Sequence, residues 1–349
     1  MQGIDLWIYN EDFEALGVVD NYNSLIWANR FRQCGDFEIY VSISDDLVEL
    51  LQEDRWVVRP DDDMVGIIEH VEIGTDEENG DYLQVTGRCL RQIVGRRIVW
   101  DQTTISGTAE NGLRKLVTDA FISPAIEARK YDKLVLAEAH GYAETITAQY
   151  TGDNLLDVVE NLCAAKNYGF SVTMGDGQLV LDFYKGTNRA MTQHENPRVI
   201  FSEDNDNLRA TTYHLNKTNY KTVALVAGEG EGSARKRVTV EHTEDTAGLH
   251  RRELYVDARD LSTNDGKISA ADYEAQLAER GATNLSEQPI VQSMEGTIEP
   301  MQMYAYKVDY FLGDTVTVVN KYGIAVDVQV LEVVEVWDED GYTCTPTFG

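Results

Sequence analysis

Six histidines and four cysteines are the side chains best suited to metal binding or nucleophilic attack, and their spacing supports neither. Cys34, Cys89, Cys163 and Cys344 lie far apart and form no CxxC pair, so a thiolate metal cluster is not expected. They read as reduced thiols of a protein made in the cytoplasm. His70, His140, His194, His214, His242 and His250 form no HExxH motif and no other short metal-ligand spacing. There is no GxSxG. Acid runs such as Asp61-Asp62-Asp63 and Asp338-Glu339-Asp340 contain the carboxylates that acid/base catalysis needs. Such runs are common in this chain, and they read as solvated surface. A Cys–His or Ser–His pairing made only by folding stays open.

Two loops deserve the same test. In Asp260 to Ser269, DLSTNDGKIS, the acids and glycine approach a calcium loop, which places oxygen ligands at positions 1, 3 and 5 and Gly at 6. With Gly266 at position 6, position 1 is Leu261, which cannot bind. With Asp260 at position 1, the glycine falls one place late. An ordinary polar loop is the reading, with cation binding by 260–269 undecided. GEGEG at Gly228 to Gly232 lacks both the GxxxxGK[ST] and GxGxxG patterns, and its glutamates would repel phosphate. It reads as a flexible or tightly turning loop. No catalytic, cofactor-binding or metal-binding residue is assigned.

The elements around these residues are mostly strands. The chain has 349 residues, enough for several domains, with 43% hydrophobic and 9% aromatic residues. In SLIWANRF, Leu25, Trp27 and Phe31 alternate with other residues. After the Gly35-Asp36 break, Phe37, Ile39, Val41 and Ile43 share one face, a half-buried strand pattern. The two runs are expected to pair. Val65, Ile67, Val71 and Ile73 suggest one face of another strand, turned through TDEENGD into YLQVTGR. ENGLRKLVTDAF suits a helix stopped by Ser123-Pro124. TGDNLLDVVENLCAAKNYG suits a stronger one, capped by Thr151 or Asp153, with Leu155, Leu156, Val159, Leu162 and Cys163 as its stripe. FSVTMGDGQLVLDFY follows as a hairpin turning at Asp176-Gly177. A helix over 269–287 carries Tyr273, Leu277 and Leu285, with Gly281 kinking it or ending its first part. Near the end, Tyr304, Tyr306, Val308 and Tyr310 alternate. Ile324, Val326, Val328, Val330, Val334 and Val336 share a face, and Leu331 and Val333 are apolar on the other. The domains read as 1–100, 101–205, 206–300 and 301–349.

Acidic residues number 60 against 30 basic, a net charge of -30. A general nucleic-acid binder needs Lys and Arg clusters, so this balance argues against one. The basic runs Arg96-Arg97, Arg235-Lys236-Arg237 and Arg251-Arg252 are short and set among acids, and read as surface or interface groups. No stretch reaches transmembrane length, and the N-terminus lacks the pattern of a signal peptide.

Five segments in order resemble the tail-tip (baseplate) hub proteins of long-tailed bacteriophages. They are SLIWANRFRQCGDFEIYVSIS, the strands from Val65 to Thr86 leading into GRCLRQIVGRRIV, the helix and hairpin from Asn154 to Tyr184, NLRATTYHLNKTNYKTVALVAGEGEG running into RKRVTV, and YKVDYFLGDTVTVVNKYGIAVDVQVLEVVEV with a final FG. The resemblance implies a β-rich α+β, multi-domain fold. Two barrel-like, tail-tube-related β domains, at the two ends of the sequence, would flank smaller α+β insertions and form a ring, usually a homotrimer. Phe37, Ile39 and Val41 would belong to the N-terminal barrel core. Leu312-Gly313-Asp314 would begin a C-terminal strand, with Asp314 serving a turn. The resemblance also implies a structural, non-enzymatic role at the virion tail tip, assembled in the host cytoplasm. The ring would join the distal tail protein and tube to the tape-measure protein and to receptor-binding or central-fibre proteins. DNA would pass through it without specific binding, and part of the negative charge would line that channel. The chain ends directly after the hub core, which implies a hub without a lytic or fibre extension. A β-rich carbohydrate-binding module or minor virion adhesin is the competing expectation, and it would need exposed aromatics in one concave patch. An enzyme would need a pocket of converging, mutually oriented polar groups.

Overall fold

The computed structural model describes residues 4–76, 80–264, 266–298 and 303–349. Its largest sheet has 13 strands and draws on both ends of the chain. The N-terminal share is Leu6–Tyr9, Ala15–Val19, Ser24–Arg30, Asp36–Ser42, Trp56–Val58, Val65–Asp76 and Gly80–Cys89. The C-terminal share is Ile200–Ser202, Leu208–Asn216, Val291–Ile298, Thr315–Val319, Ala325–Asp338 and Gly341–Phe348. They meet where Ala325–Asp338 pairs antiparallel with Ser24–Arg30, from Glu332 opposite Arg30 to Trp337 opposite Leu25. The pairing path runs from Leu208–Asn216 to Ala15–Val19 and, among the described residues, does not close on itself.

The expected pairing of Ser24–Arg30 with Asp36–Ser42 is present, and Phe37, Ile39 and Val41 point into one core with Leu25, Trp27, Leu83 and Val85. Full burial of each such side chain contributes about 1.5–3 kcal/mol. Two long strands depart from strict alternation. In Val65–Asp76 the register shifts between Ile68 and His70. Val65 and Ile67 therefore join the core under the helices, while Ile68 and Val71 join the N-terminal core, and Ile73 is exposed. In Ala325–Asp338 the shift falls between Val330 and Glu332. Val328 and Val330 are buried before it, and Val333, Glu335 and Trp337 after it, so Val334 and Val336 do not share their face. A bulge adds one residue to one strand and flips the side chains beyond it. Tyr304 to Tyr310 is no strand either. It is a turn-rich strap with Lys307 at φ 65, and Val308 is exposed. Glu77, Glu78 and Asn79 of the expected TDEENGD turn lie outside the described residues.

Four α-helices are present among the described residues: α1 (Asp45–Leu50), α2 (Ala109–Val117), α3 (Leu155–Lys166) and α4 (Ala270–Ser286). α2 runs into one π-helical turn, Thr118–Ile122, before Ser123-Pro124. α3 is capped by Asn154, whose side chain accepts the Leu156 and Asp157 amides. Thr151 and Asp153 do not cap it; the Asp153 carboxylate instead accepts the Thr151 amide. The hairpin Gly169–Gly175 and Gln178–Tyr184 turns on Asp176 and Gly177, both at positive φ (44° and 76°). α3, α2 and this hairpin enclose a core that includes Leu155, Leu162, Phe170, Leu181 and Phe183.

α4 lies on a separate three-stranded sheet of Arg237–Glu241, Val223–Ala227 and Glu253–Asp257. Gly281 neither kinks nor ends it. A Cβ there would stand 2.6 Å from Val226 and 2.7 Å from Val240, so glycine allows the close helix–sheet approach. No helix among the described residues is long and apolar enough to cross a membrane.

Candidate functional site

The seam between N- and C-terminal strands buries charge. Arg59 directly follows the Trp56–Val58 strand, and its side chain has no exposed surface. Its guanidinium sits 5.3 Å from the Trp27 ring and 4.4 Å from the Trp337 ring. It donates to Asp61 at 3.0 and 2.7 Å and to Glu335 at 3.1 and 3.4 Å. Asp62 accepts the Trp27 indole N–H at 2.9 Å and the Met64 amide at 2.9 Å. Lys307 reaches down from the strap to Asp62 at 2.7 Å and Glu335 at 3.5 Å. The Tyr342 hydroxyl donates to Glu335 at 2.9 Å.

Two cations, Arg59 and Lys307, here face three carboxylates, Asp61, Asp62 and Glu335. Burial disfavours the Arg59 cation, but hydrogen bonds to Asp61 and the charges of Glu335 and Asp62 outweigh that and raise its pKa. Burial likewise favours the neutral form of Asp61, and Arg59 overturns it, holding the carboxyl below its ordinary value. Asp62 and Glu335 are bonded within the cluster, while Asp61 stays half exposed. The arrangement acts as a latch between chain segments 276 positions apart and presents no free base.

A second latch lies beside it. Asp314 accepts the Thr187 amide at 2.6 Å, the Phe311 amide at 3.0 Å and Arg189 Nε at 2.7 Å. Next to it Gly186 packs on Gly313, where a Cβ would fall 1.9 Å from the Gly313 carbonyl carbon. Two cavities of about 500 and 510 Å³ flank the strap. Tyr304, Tyr306, Tyr310, Trp337 and Tyr342 line the second. Tyr310 and Trp337 are only 1% and 8% exposed, so their faces are covered by protein.

With the seam described, the chain can be placed among known proteins. The family model for the Siphovirus ReqiPepy6 Gp37-like protein matches residues 5–349. The chain belongs to that family. No curated protein matches it. Its fold is similar to the crystal structure of a tail protein from Neisseria meningitidis MC58, at 15% identity and a TM-score of 0.59, covering 99% of this chain and 96% of that one. It is also similar to the 43 kDa tail protein of prophage MuSo2 from Shewanella oneidensis, at 11% identity, TM-score 0.60 and coverage of 99% and 98%. Prophage tail protein gp18 from Listeria monocytogenes EGD-e follows at 12% identity, TM-score 0.55 and coverage of 98% and 94%. At these identities the likeness is one of fold: β-rich and multi-domain.

The residues singled out by sequence fall as follows. Asp314 serves a turn, as expected, and also ties Arg189 to it. Asp61-Asp62-Asp63 is not simply a solvated run, because the Asp62 side chain is 2% exposed and held inside the latch. Asp338 is a turn residue that accepts the Asp340 and Gly341 amides. The Gly228–Gly232 loop turns tightly: Arg235 donates to the carbonyls of Gly228 and Ala227, and Tyr273 accepts the Glu229 amide. In the 260–269 loop Asp260 pairs with Arg280 at 2.8 Å and Leu261 is buried, while Asp265 lies outside the described residues. His140 contacts Asp182 at 3.1 Å, and His242 stacks on Tyr220. Among the described residues no group of three or more His, Cys, Asp or Glu side chains is placed to hold a metal. The basic runs pair with acids: Arg96 with Asp54, Arg235 with Asp257, Lys236 with Glu274, Arg251 with Glu241 and Glu253. Sequence reasoning missed Arg59 and Glu335. Their signal was present, a lone charge closing WVVRP and another inside VVEVW.

Proposed function

We propose that this protein is a structural hub of the phage tail tip, a homotrimeric ring in which the strands from both ends of each chain form barrel-like walls around a channel. The ring joins the distal tail and tube proteins to the tape measure and to receptor-binding or central-fibre proteins. It performs no catalysis. One observation carries the reading: the chain matches three tail proteins over nearly all of its own length and nearly all of theirs. The shared sheet supports it, because strands from the two ends of the chain pair in one sheet and are tied by the Arg59–Glu335 latch. Among the described residues Ala15–Val19 and Leu208–Asn216 stand at the two ends of the main pairing path, and such edges are covered on assembly.

Part of the charge of -30 lines the channel, so that passing DNA is repelled and does not stick. The surface potential of the assembled ring tests this, and a neutral or basic channel contradicts it. The carbohydrate-binding alternative is less well supported. The rings lining the aromatic cavity are mostly covered, and the exposed ones, Trp7, Trp100, Tyr255, Phe311 and Tyr322, stand on separate elements. Co-expression with the neighbouring tail-tip proteins, followed by native mass spectrometry, tests the hub. A complex with three copies of this chain is expected, and a complex that never holds more than one copy contradicts it.

A further inference from the structure

Cys34 and Cys89 are distant in sequence and adjacent in the fold. Asp36 pairs with Arg88 in the sheet, and one step further Cys89 N donates to the Gly35 carbonyl at 2.8 Å. In return Gly35 N donates to Cys89 Sγ at 3.2 Å, and Cys34, the residue before Gly35, packs against the core cluster that contains Cys89. Both cysteines are free. Beside them stands Arg91, 5% exposed, whose guanidinium donates to the Gln33 carbonyl at 2.8 Å and the Asn29 amide oxygen at 3.0 Å. Among the described residues no carboxylate hydrogen-bonds to it. The Cys89 sulfur is the first charge to favour its cation, and the Glu160 carboxylate, which accepts the Cys34 amide, also lies within its field.

We propose that Cys34 and Cys89 form a thiol–disulfide exchange pair, with Cys89 as the attacking sulfur, that reacts with small-molecule disulfides entering the adjoining cavity. That cavity, about 500 Å³, is lined by Cys89, Arg91, Asn29, Tyr184, Lys307 and Leu312 among others. Burial opposes the Cys89 thiolate, but the Cys34 thiol, Arg91 and the Gly35 amide stabilise it and lower its pKa, while Cys34 is raised. Cys163 and Cys344 are both pushed up by burial and stay thiols. In the reaction, Cys89 thiolate attacks one sulfur of the small disulfide and expels a thiolate. Cys34 then loses its proton to that thiolate and attacks the Cys89 sulfur, expelling the second small thiolate, which is protonated by solvent. Two protein thiols are oxidised and one disulfide is reduced to two thiols. The product ties the Asp36–Ser42 strand to the end of Gly80–Cys89. It also fixes Cys34, whose amide donates to Glu160 of α3 at 3.1 Å.

The test is peptide mapping by mass spectrometry after native protein is treated with bis(2-hydroxyethyl) disulfide. The expected result is a Cys34–Cys89 cross-link with loss of two hydrogens, before Cys163 or Cys344 reacts. In Cys34→Ser the mixed disulfide on Cys89 should persist. Should that variant not fold, the double variant Cys163→Ser, Cys344→Ser keeps the pair intact and must cross-link as the wild type does. Separate adducts on Cys34 without a cross-link, or reaction at neither sulfur until urea is added, would overturn the proposal.

Discussion

The helix–hairpin unit and the seam stand side by side and are held in opposite ways. From Leu155 to Tyr184 the devices that set the helix and the hairpin are local. Asn154 caps α3, Asn167 ends it in a left-handed conformation, Asp176-Gly177 makes the turn, and an apolar stripe fills the core. At the seam a few buried charges join residues hundreds of positions apart. The difference separates two kinds of robustness. A unit built from many small local contributions degrades by degrees. A junction resting on buried charges is most sensitive to removal of one partner, because the remaining like charges face each other with less compensation.

Breaking the seam should therefore cost most. Arg59→Ala leaves Lys307 as the one cation facing Asp61, Asp62 and Glu335 in the cluster and should lower unfolding free energy by about 3–5 kcal/mol, read by urea denaturation. A loss below about 1 kcal/mol would mean that water reaches the cluster and that the comparison fails. In the local unit, Leu162→Ala leaves a cavity against the hairpin and should cost about 2–4 kcal/mol by the same measurement. Asn154→Ala removes one cap and should cost about 1 kcal/mol.

The smallest effect is one of pH. Glu144 is held down to about 2 by Lys185, by a backbone amide and by the Tyr168 hydroxyl. Its folded pKa lies below the ordinary 4.5, so its stabilisation is present above 4.5 and is lost as pH falls toward 2. Thermal melts across that window should show a steeper acid loss for wild type than for Glu144→Gln. Parallel curves would remove Glu144 from the account.

The same division decides what could be read from sequence. The helix–hairpin unit was legible because its signals lie within a few residues of what they control: stripe, turn and stop. Its cap was misplaced, at Thr151 or Asp153 instead of Asn154, since all three are competent caps and only folding selects among them. The N-terminal core residues Phe37, Ile39 and Val41 were legible because alternation survives where no bulge intervenes. Beyond the bulges at Ile68/His70 and Val330/Glu332 it misleads, and nothing local marks them. Tyr304 to Tyr310 alternates without forming a strand because its rings pack against the C-terminal core while Lys307 turns the backbone toward Asp62. The sequence marks Arg59 and Glu335 only as lone charges in apolar runs; their pairing, like the approach of Cys34 to Cys89, was invisible, since pairing across long sequence separations leaves no spacing to read.

The central claim is that both ends of this chain build one rigid wall of a tail-tip ring. Electron cryomicroscopy of the intact particle tests it most directly. The account predicts three copies around the tail axis, with the joined terminal strands facing the channel. Density for this chain away from the axis, or its absence from the particle, would contradict it.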